Sequence, residues 1–272
     1  MLYYPGTTKA DATRAVRPEG DGMRTWIGYV TAAFLLTLCG CSTLPEEELS
    51  PATDITIEEL EKRMAQATDP EGRYAQSRSF VMKQVVETKR FLDQPLVQMV
   101  ETKFMRPAFF KITTYDDNRP TVAVISNGEN TWFADYNAGK VKVLDAVALR
   151  KVKRLNDITK PGSKLSEVFK DIRIFKCRIG DEDFYKIECP GEDGEGLNVY
   201  VDADSCQITR ISVSENGKVI YDSSLKEYGL YEGVRIPEET AIRSGGVEQT
   251  TRVIYYKLNP VIDISEFRPP VF

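Results

Sequence analysis

"ISNGENTWFADYNAGKVKVL", Ile125 to Leu144, reads as the heart of a β-meander. Asn127-Gly128 is a strong tight-turn dipeptide, because both residue types tolerate the left-handed backbone that a two-residue hairpin loop requires. Strands are expected on either side of it, over 121–126, 130–136 and 140–144. Side chains alternate across a strand, so Trp132 and Phe133 must lie on opposite faces, and in a curved sheet one of them points to the concave interior.

The same texture extends outward from this hairpin. Runs rich in Val, Ile, Tyr, Phe and Thr, divided by turn residues, predict further strands at about 79–92, 96–105, 108–115, 172–178, 183–189, 197–203, 206–214, 218–228, 234–243 and 247–258. Asn216-Gly217 is a second tight turn, and "GDED" (180–183) and "DADS" (202–205) also read as turns. Two helical signals interrupt the middle of the chain. Ala146, Leu149, Val152 and Leu155 keep a helical period over 146–155, and "KLSEVFK" reads as a short helix with Ser163 as its N-cap. Before the strands, Thr56 and Glu59 form a capping-box pattern, after which Ile57, Leu60, Met64 and Ala67 recur at helical spacing until Asp69-Pro70-Glu71-Gly72. The expected fold is therefore mainly β: an N-terminal helix, a long antiparallel meander curved into a barrel or part of one, and a helical insertion at mid-chain. No internal repeat of fixed period is visible.

The N-terminus carries a different message. From Trp26 to Leu38 the chain is apolar for 13 residues, too short to span a bilayer but suited to the core of a secretory signal, with Met23 and Arg24 just ahead of it. Met23 is the expected start of translation. "LCGC", Leu38 to Cys41, resembles the bacterial lipobox, in which the last cysteine receives a diacylglyceryl group and becomes the mature N-terminus. Cys41 is thus the expected site of lipid attachment, and several acyl chains together anchor stably where one holds only marginally. Ser42 follows it, not the aspartate that marks inner-membrane retention, which favours the outer membrane with the body facing the periplasm. The expected organisation is a signal peptide over 1–40, a lipidated cysteine with a polar flexible tether over 41–55, and one folded domain over 56–272.

Composition excludes several functions. Without its first 40 residues the chain loses four Lys/Arg and three Asp/Glu, leaving 32 against 38 and a formal charge of −6. That balance gives no footprint for nucleic acid. There is no polybasic stretch either, so membrane contact is expected through the lipid anchor. Histidine is absent, which removes the usual general base, and nothing nominates a pair of catalytic carboxylates. Beyond Cys39 and Cys41 there remain Cys177, Cys189 and Cys206, whose spacing matches no zinc pattern; in an oxidising compartment two of them could pair. The acidic cluster Glu192, Asp193, Glu195, Asp202 and Asp204 lacks the order of a calcium loop and reads as a solvated hairpin. "GEDGEG" has no helix behind it to hold a phosphate. No enzyme, cofactor or metal is expected.

Apolar surface in β context is what the sequence does offer. "FMRPAFFKI" (104–112) sets Arg106-Pro107 ahead of Phe109, Phe110 and Ile112. This segment, the Trp132 hairpin, "LNVYVDADSCQITRISV" (197–213) and "VIDISEFRPP" (261–270), in that order, resemble the family of the periplasmic lipoprotein carrier LolA and its outer-membrane receptor LolB. Met105 stands where the family has a basic residue. The resemblance covers nearly all of 56–272 and implies an incomplete, highly curved antiparallel β-barrel closed by a helical lid over an apolar cavity for acyl chains. It implies that Arg106 bonds to the lid, that Phe110 lines the cavity, and that Trp132 and Phe133 form or support its wall. The implied partners are acyl chains of lipoproteins or lipids, a periplasmic carrier protein, and the membrane through the anchor. Family carriers are soluble, whereas Cys41 would tether this chain as in the receptor. The receptor's exposed leucine has candidates in Leu92 and Leu96. The alternative, also carried by the family, is an envelope regulatory or structural lipoprotein whose barrel holds a protein partner, as in a stress-sensor relative.

Overall fold

The computed structural model describes residues 47–90, 94–144, 161–191 and 194–272. The signal segment, Cys41, Leu92 and the helix expected over 146–155 lie outside the described residues. Thr56 caps α1 (Ile57–Thr68) by accepting the Glu59 amide at 3.3 Å. Glu59 does not turn back as a full capping box would; its carboxylate pairs with Arg63 one turn on at 3.0 Å. After Asp69 the chain turns at Gly72, whose φ of +66° suits glycine, into a short α2 (Arg73–Gln76).

Fourteen strands follow the order β1 (Glu48–Pro51), β2 (Ser79–Arg90), β3 (Leu96–Met105), β4 (Phe109–Asp116), β5 (Arg119–Asn127), β6 (Thr131–Asp135), β7 (Lys140–Val143), β8 (Arg173–Ile179), β9 (Glu182–Pro190), β10 (Glu195–Asp202), β11 (Ile208–Glu215), β12 (Lys218–Tyr231), β13 (Val234–Ser244) and β14 (Val247–Leu258). From β2 on, each coincides with a run read from the sequence, within a few residues at its ends. All belong to one antiparallel sheet, ordered β1-β8-β9-β10-β11-β12-β13-β14-β2-β3-β4-β5-β6-β7. The sheet is curved but not closed, with β1 and β7 as its edges. Two meanders, β2 to β7 and β8 to β14, are thus sewn together by the pairing of β14 with β2, where Leu258 faces Phe80 and Tyr256 faces Met82.

The inner face is covered by α1. Leu60 and Met64 pack with Ile55, Leu165 and Phe169 onto Ile187, Val199, Val201 and Ile211 of β9 to β11. Each such buried side chain contributes about 1.5–3 kcal/mol. Glu61, buried on the same helix, accepts both the amide and the hydroxyl of Ser166 at 2.8 Å, which ties α1 to the mid-chain insertion. That insertion departs from expectation: "KLSEVFK" forms only a 3-10 turn, Leu165–Glu167, entered from Lys164 and not capped by Ser163. Leu165 and Phe169 are both drawn into the core, and the chain must leave directly for β8.

The outer face is closed by the C-terminal segment. Phe267 is fully buried with its ring 5.6 Å from Phe109, and Phe272 meets Tyr136 edge-on at 5.5 Å. Between them Glu266 binds Lys103 at 3.1 Å and Lys111 at 3.3 Å. Cys177 and Cys206 are free thiols. Cys177 packs with Phe184 and Tyr200 on the outer face, whereas Cys189 and Cys206 belong to the cluster under α1, so the proximity expected from sequence fails for Cys177. Burial, with help from Glu47, pushes the Cys177 thiol up to about 11.

One expectation is corrected at the N-terminus. Residues 47–55, read as tether, are part of the body: β1 adds to β8 with Leu49 opposite Cys177, Ala52 donates to the Ile174 carbonyl at 3.1 Å, and Ile55 is buried. Backbone pairing does not depend on side-chain type, so the polar "ELSP" carries no strand signal of its own. Glu47 secures this edge by accepting from the Tyr200 hydroxyl at 2.6 Å and from Lys186 at 2.8 Å. Burial raises the Glu47 carboxyl, but hydrogen bonds from Lys186 and Tyr200 and the charges of Lys186 and Arg210 outweigh it and hold the group below the ordinary range. A carboxyl depressed on folding stabilises the folded chain above its unfolded pKa, and that stabilisation is lost as pH falls through the folded value. Glu47→Gln is therefore expected to lower the urea midpoint at pH 7, with the gap to the parent closing below about pH 4. A gap of equal size at pH 7 and pH 3 would show that ionisation of Glu47 contributes nothing.

Candidate functional site

Pairing of β14 with β2 sets the inner-face residues of two sequence-distant strands side by side. Phe80 lies between Leu258 on one side and Phe104 on the other, and Phe104 faces Phe110 across the next ladder. Cross-strand partners share a face. The Phe80 ring stacks at 5.2 Å on Phe104 and 5.7 Å on Tyr256, and lies 6.0 Å from Tyr74. Around this aromatic row opens a cavity of 480 Å³. One wall is Phe80, Met82, Phe104 and Phe110; the other is drawn from β11 to β14 and includes Ile211, Leu225, Tyr228, Ile236, Val253 and Tyr256. Its roof is the last turn of α1 (Met64, Ala65, Thr68), Tyr74 of α2 and Pro161 to Ser163.

Among the described residues the lining carries no carboxylate; its charged members are Arg106 and Arg235. Size and chemistry are those of a site for a largely apolar ligand. Cys206 also lines the cavity, but burial raises its pKa, and a protonated thiol is a poor nucleophile. Among the described residues no group of His, Cys, Asp and Glu is arranged to hold a metal ion.

Arg106 follows the end of β3, where its amide bonds the Arg78 carbonyl at 2.8 Å and so extends the β2–β3 ladder. Its side chain then reaches to α2. Nε donates to the Ser77 carbonyl at 2.8 Å, Nη2 donates to the Tyr74 carbonyl at 3.1 Å, and the guanidinium lies 5.5 Å from the centre of the Tyr74 ring. The Tyr74 carbonyl also accepts from the Ser77 amide at 3.1 Å and the Ser77 hydroxyl at 2.7 Å, so Arg106 adds to a cap that the end of this short helix already has. The arginine thus ties part of the roof to the sheet, through α2 and not through α1, which is held by its own core contacts.

Of the residues singled out in the sequence, Arg106 and Phe110 meet at the cavity. Phe133 shares the inner face, since it pairs with Val124 and Val124 with Ile112, but it is not among the lining residues. Trp132 lies on the outer face, packed with Tyr136 and Val141 against Ala123, Ile125 and Ala134. The cavity is centred on the β14–β2 seam, and β6 is too far along the sheet to reach it. Leu96 is 37 % exposed at the start of β3. Phe80, Met82, Tyr74 and Tyr256 were missed. Alternation in "SFVMKQ" does set Phe80, Met82 and Gln84 on one face, but only the seam reveals which face is enclosed.

No protein-family model and no curated protein sequence matches this chain. Solved structures do. A LolA superfamily protein from Nitrosomonas europaea superposes with a TM-score of 0.55 at 14% identity, over 79% of this chain and 98% of its own. A DUF1329 family protein from Desulfovibrio piger gives a TM-score of 0.58 at 10% identity, over 78% of this chain and 95% of its own. A domain from Vibrio parahaemolyticus named for outer membrane lipoprotein sorting gives 0.50 at 11% identity, over 76% and 97%. The chain has the LolA/LolB-like fold.

Arg106→Ala removes two hydrogen bonds from a charged donor, each worth roughly 1.5–3 kcal/mol when well formed. The expected result is faster amide hydrogen exchange over 73–78 with α1 still protected. Equal loss of protection in α1 would show that Arg106 holds the whole roof.

Proposed function

We propose that this protein is a lipid-anchored, periplasm-facing binder that takes acyl chains of lipoproteins or lipids into the cavity at the β14–β2 seam and acts in outer-membrane lipoprotein sorting or transfer. The observation that carries this reading is the cavity itself: 480 Å³, walled by aromatic and aliphatic side chains, with no carboxylate among its described lining residues and roofed by a segment that hydrogen bonds hold in place. Each methylene exposed to water costs about 0.8 kcal/mol, so a chain of some sixteen carbons crosses an aqueous space only inside a dry concavity. The α2 part of the roof, held by Arg106 and the buried Tyr74 ring, is separate from the core under α1. The names of the Nitrosomonas and Vibrio proteins support the same use of the fold.

The anchor would be Cys41. With Glu47 held on the outer face, six peptide links separate the two, a reach of about 20 Å when fully extended. The body would therefore ride close to its membrane and receive cargo there, from a soluble carrier or from the bilayer. No covalent step belongs to this role.

Native mass spectrometry of the soluble chain from Ser42, titrated with a synthetic diacylated lipopeptide, tests it. The parent is expected to form a one-to-one complex. Phe110→Glu, which sets a charge on the apolar wall, is expected to weaken the complex at least tenfold while circular dichroism shows the fold intact. A folded parent that binds no lipopeptide would remove the acyl-binding reading and leave a barrel that holds a protein partner.

A further inference from the structure

Tyr256 is the outlier among the buried tyrosines of the sheet. Tyr228 donates its hydroxyl to the Ile208 carbonyl and Tyr200 donates to Glu47, both at 2.6 Å. Tyr256 is 8 % exposed, lines the cavity, and its buried hydroxyl makes no hydrogen bond. Buried phenols are normally paired, and an orphaned one costs about 1–3 kcal/mol. The ring has no freedom to seek a partner, because Phe80 stacks on one side of it and Tyr231 meets it at 6.3 Å.

We infer that the Tyr256 hydroxyl is a hydrogen-bond donor kept for the neutral carbonyl of an acyl group, ester or amide, seated in the cavity. This deepens the acyl-binding reading and rests on it. The surroundings choose the kind of acceptor. Burial, and after it the fields of Tyr74, Asp69 and Glu232, push the phenol's pKa well up, so the group remains a donor throughout the physiological range. Two carboxylates near the hydroxyl repel a second anion, which disfavours a fatty-acid carboxylate or a phosphate oxygen at this point and leaves an uncharged carbonyl. Neither carboxylate bonds the hydroxyl, which has no partner in the structure; Glu232 accepts from the Leu258 amide at 3.2 Å and Asp69 Oδ2 from the Ala75 amide at 3.1 Å. Asp69 Oδ1 is itself buried without a bond, so the roof over Tyr256 is under-satisfied on both sides. Arg106 is engaged with Tyr74 and Ser77, Arg235 is exposed, and Thr68, Ser223 and Tyr228 of the lining already donate to backbone carbonyls, so Tyr256 is a buried donor left open on the cavity wall, which also carries Gln84 and Thr240. Aliphatic walls hold the chain, and one oriented donor fixes where along it the carbonyl stops.

The test uses the soluble chain from Ser42 and its Tyr256→Phe variant. Each is loaded with diphenylhexatriene, a hydrocarbon fluorophore, and challenged with dodecane or with methyl laurate, which differ in the ester. The parent is expected to favour the ester. The variant is expected to lose roughly three- to tenfold in affinity for methyl laurate and nothing for dodecane. Because the hydroxyl has no partner in the empty protein, the empty variant is expected to melt at the same temperature as the parent or higher. Equal loss for both competitors, no loss for the ester, or a lower melting temperature of the empty variant would overturn the inference, the last by showing that the hydroxyl is already paired, as with a trapped water. A diacyl lipopeptide and a diacyl phosphatidylglycerol, run as further competitors, separate the two sources of such a carbonyl by which of them loses affinity in the variant. If the folded parent takes up neither fluorophore nor competitor, the acyl-binding reading falls and this inference with it; if the parent binds and the variant keeps its ester preference, only the inference falls.

Discussion

The antiparallel ladder between β14 and β2 is the constraint on which the rest of the molecule depends. It joins the last strand of one meander to the first of the other, strands at opposite ends of the described chain. Closing so long a loop costs conformational entropy, but that cost grows only with the logarithm of length, and a ladder from Val247–Arg90 to Leu258–Phe80 offsets it. Without this seam there would be two smaller sheets. With it there is one sheet curved enough to enclose space, and the aromatic row Phe104, Phe80, Tyr256 crosses the seam as its inner lining.

The sheet encloses more space than the helices fill. α1 and the Leu165 turn occupy the inner face over β9 to β11, where the packing is dense. Over β2 to β4 and β12 to β14, among the described residues, the last turn of α1, Tyr74 and the Pro161 turn lie above the sheet, and the cavity remains between them. The two halves of the cover pack into separate clusters. Buried side chains and the Glu61–Ser166 bonds fix α1, whereas α2 is held by the buried ring of Tyr74 and by the bonds that Arg106 and Arg73 make to backbone carbonyls.

An open sheet leaves two edges, and this one treats them differently. β7 ends the sheet with Lys140 and Lys142, charges that oppose pairing with another chain. At the other end β1 carries Pro51, which has no amide to offer a further strand, and Glu47 fastens it through Lys186 and Tyr200. The outer face is covered in turn by the C-terminal segment, with Phe267 against Phe109. Trp132, a conspicuous aromatic in the sequence, is accounted for there as part of the outer packing.

Much of this was legible in the amino-acid order, because local forces decide it. Period-two alternation and turn chemistry placed thirteen strands; at Asn216-Gly217 both residues take positive φ as a two-residue hairpin demands. Thr56 and the spacing of Leu60 and Met64 placed α1 and its buried side. Arg106 and Phe110, singled out through the family resemblance of one short segment, lie at the cavity. What tertiary structure alone decided were the matters that depend on residues far apart meeting. β1 exists because the free edge of β8 accepts any backbone, so its polar sequence gave no sign of it. Trp132 and Phe133 alternate as expected, yet which face is enclosed, and how far along the sheet the enclosure runs, follows from the seam between β14 and β2. Tyr256 shows the limit most sharply: nothing in "VIYYKL" separates it from Tyr255, and only packing leaves one exposed and buries the other with its hydroxyl unpaired.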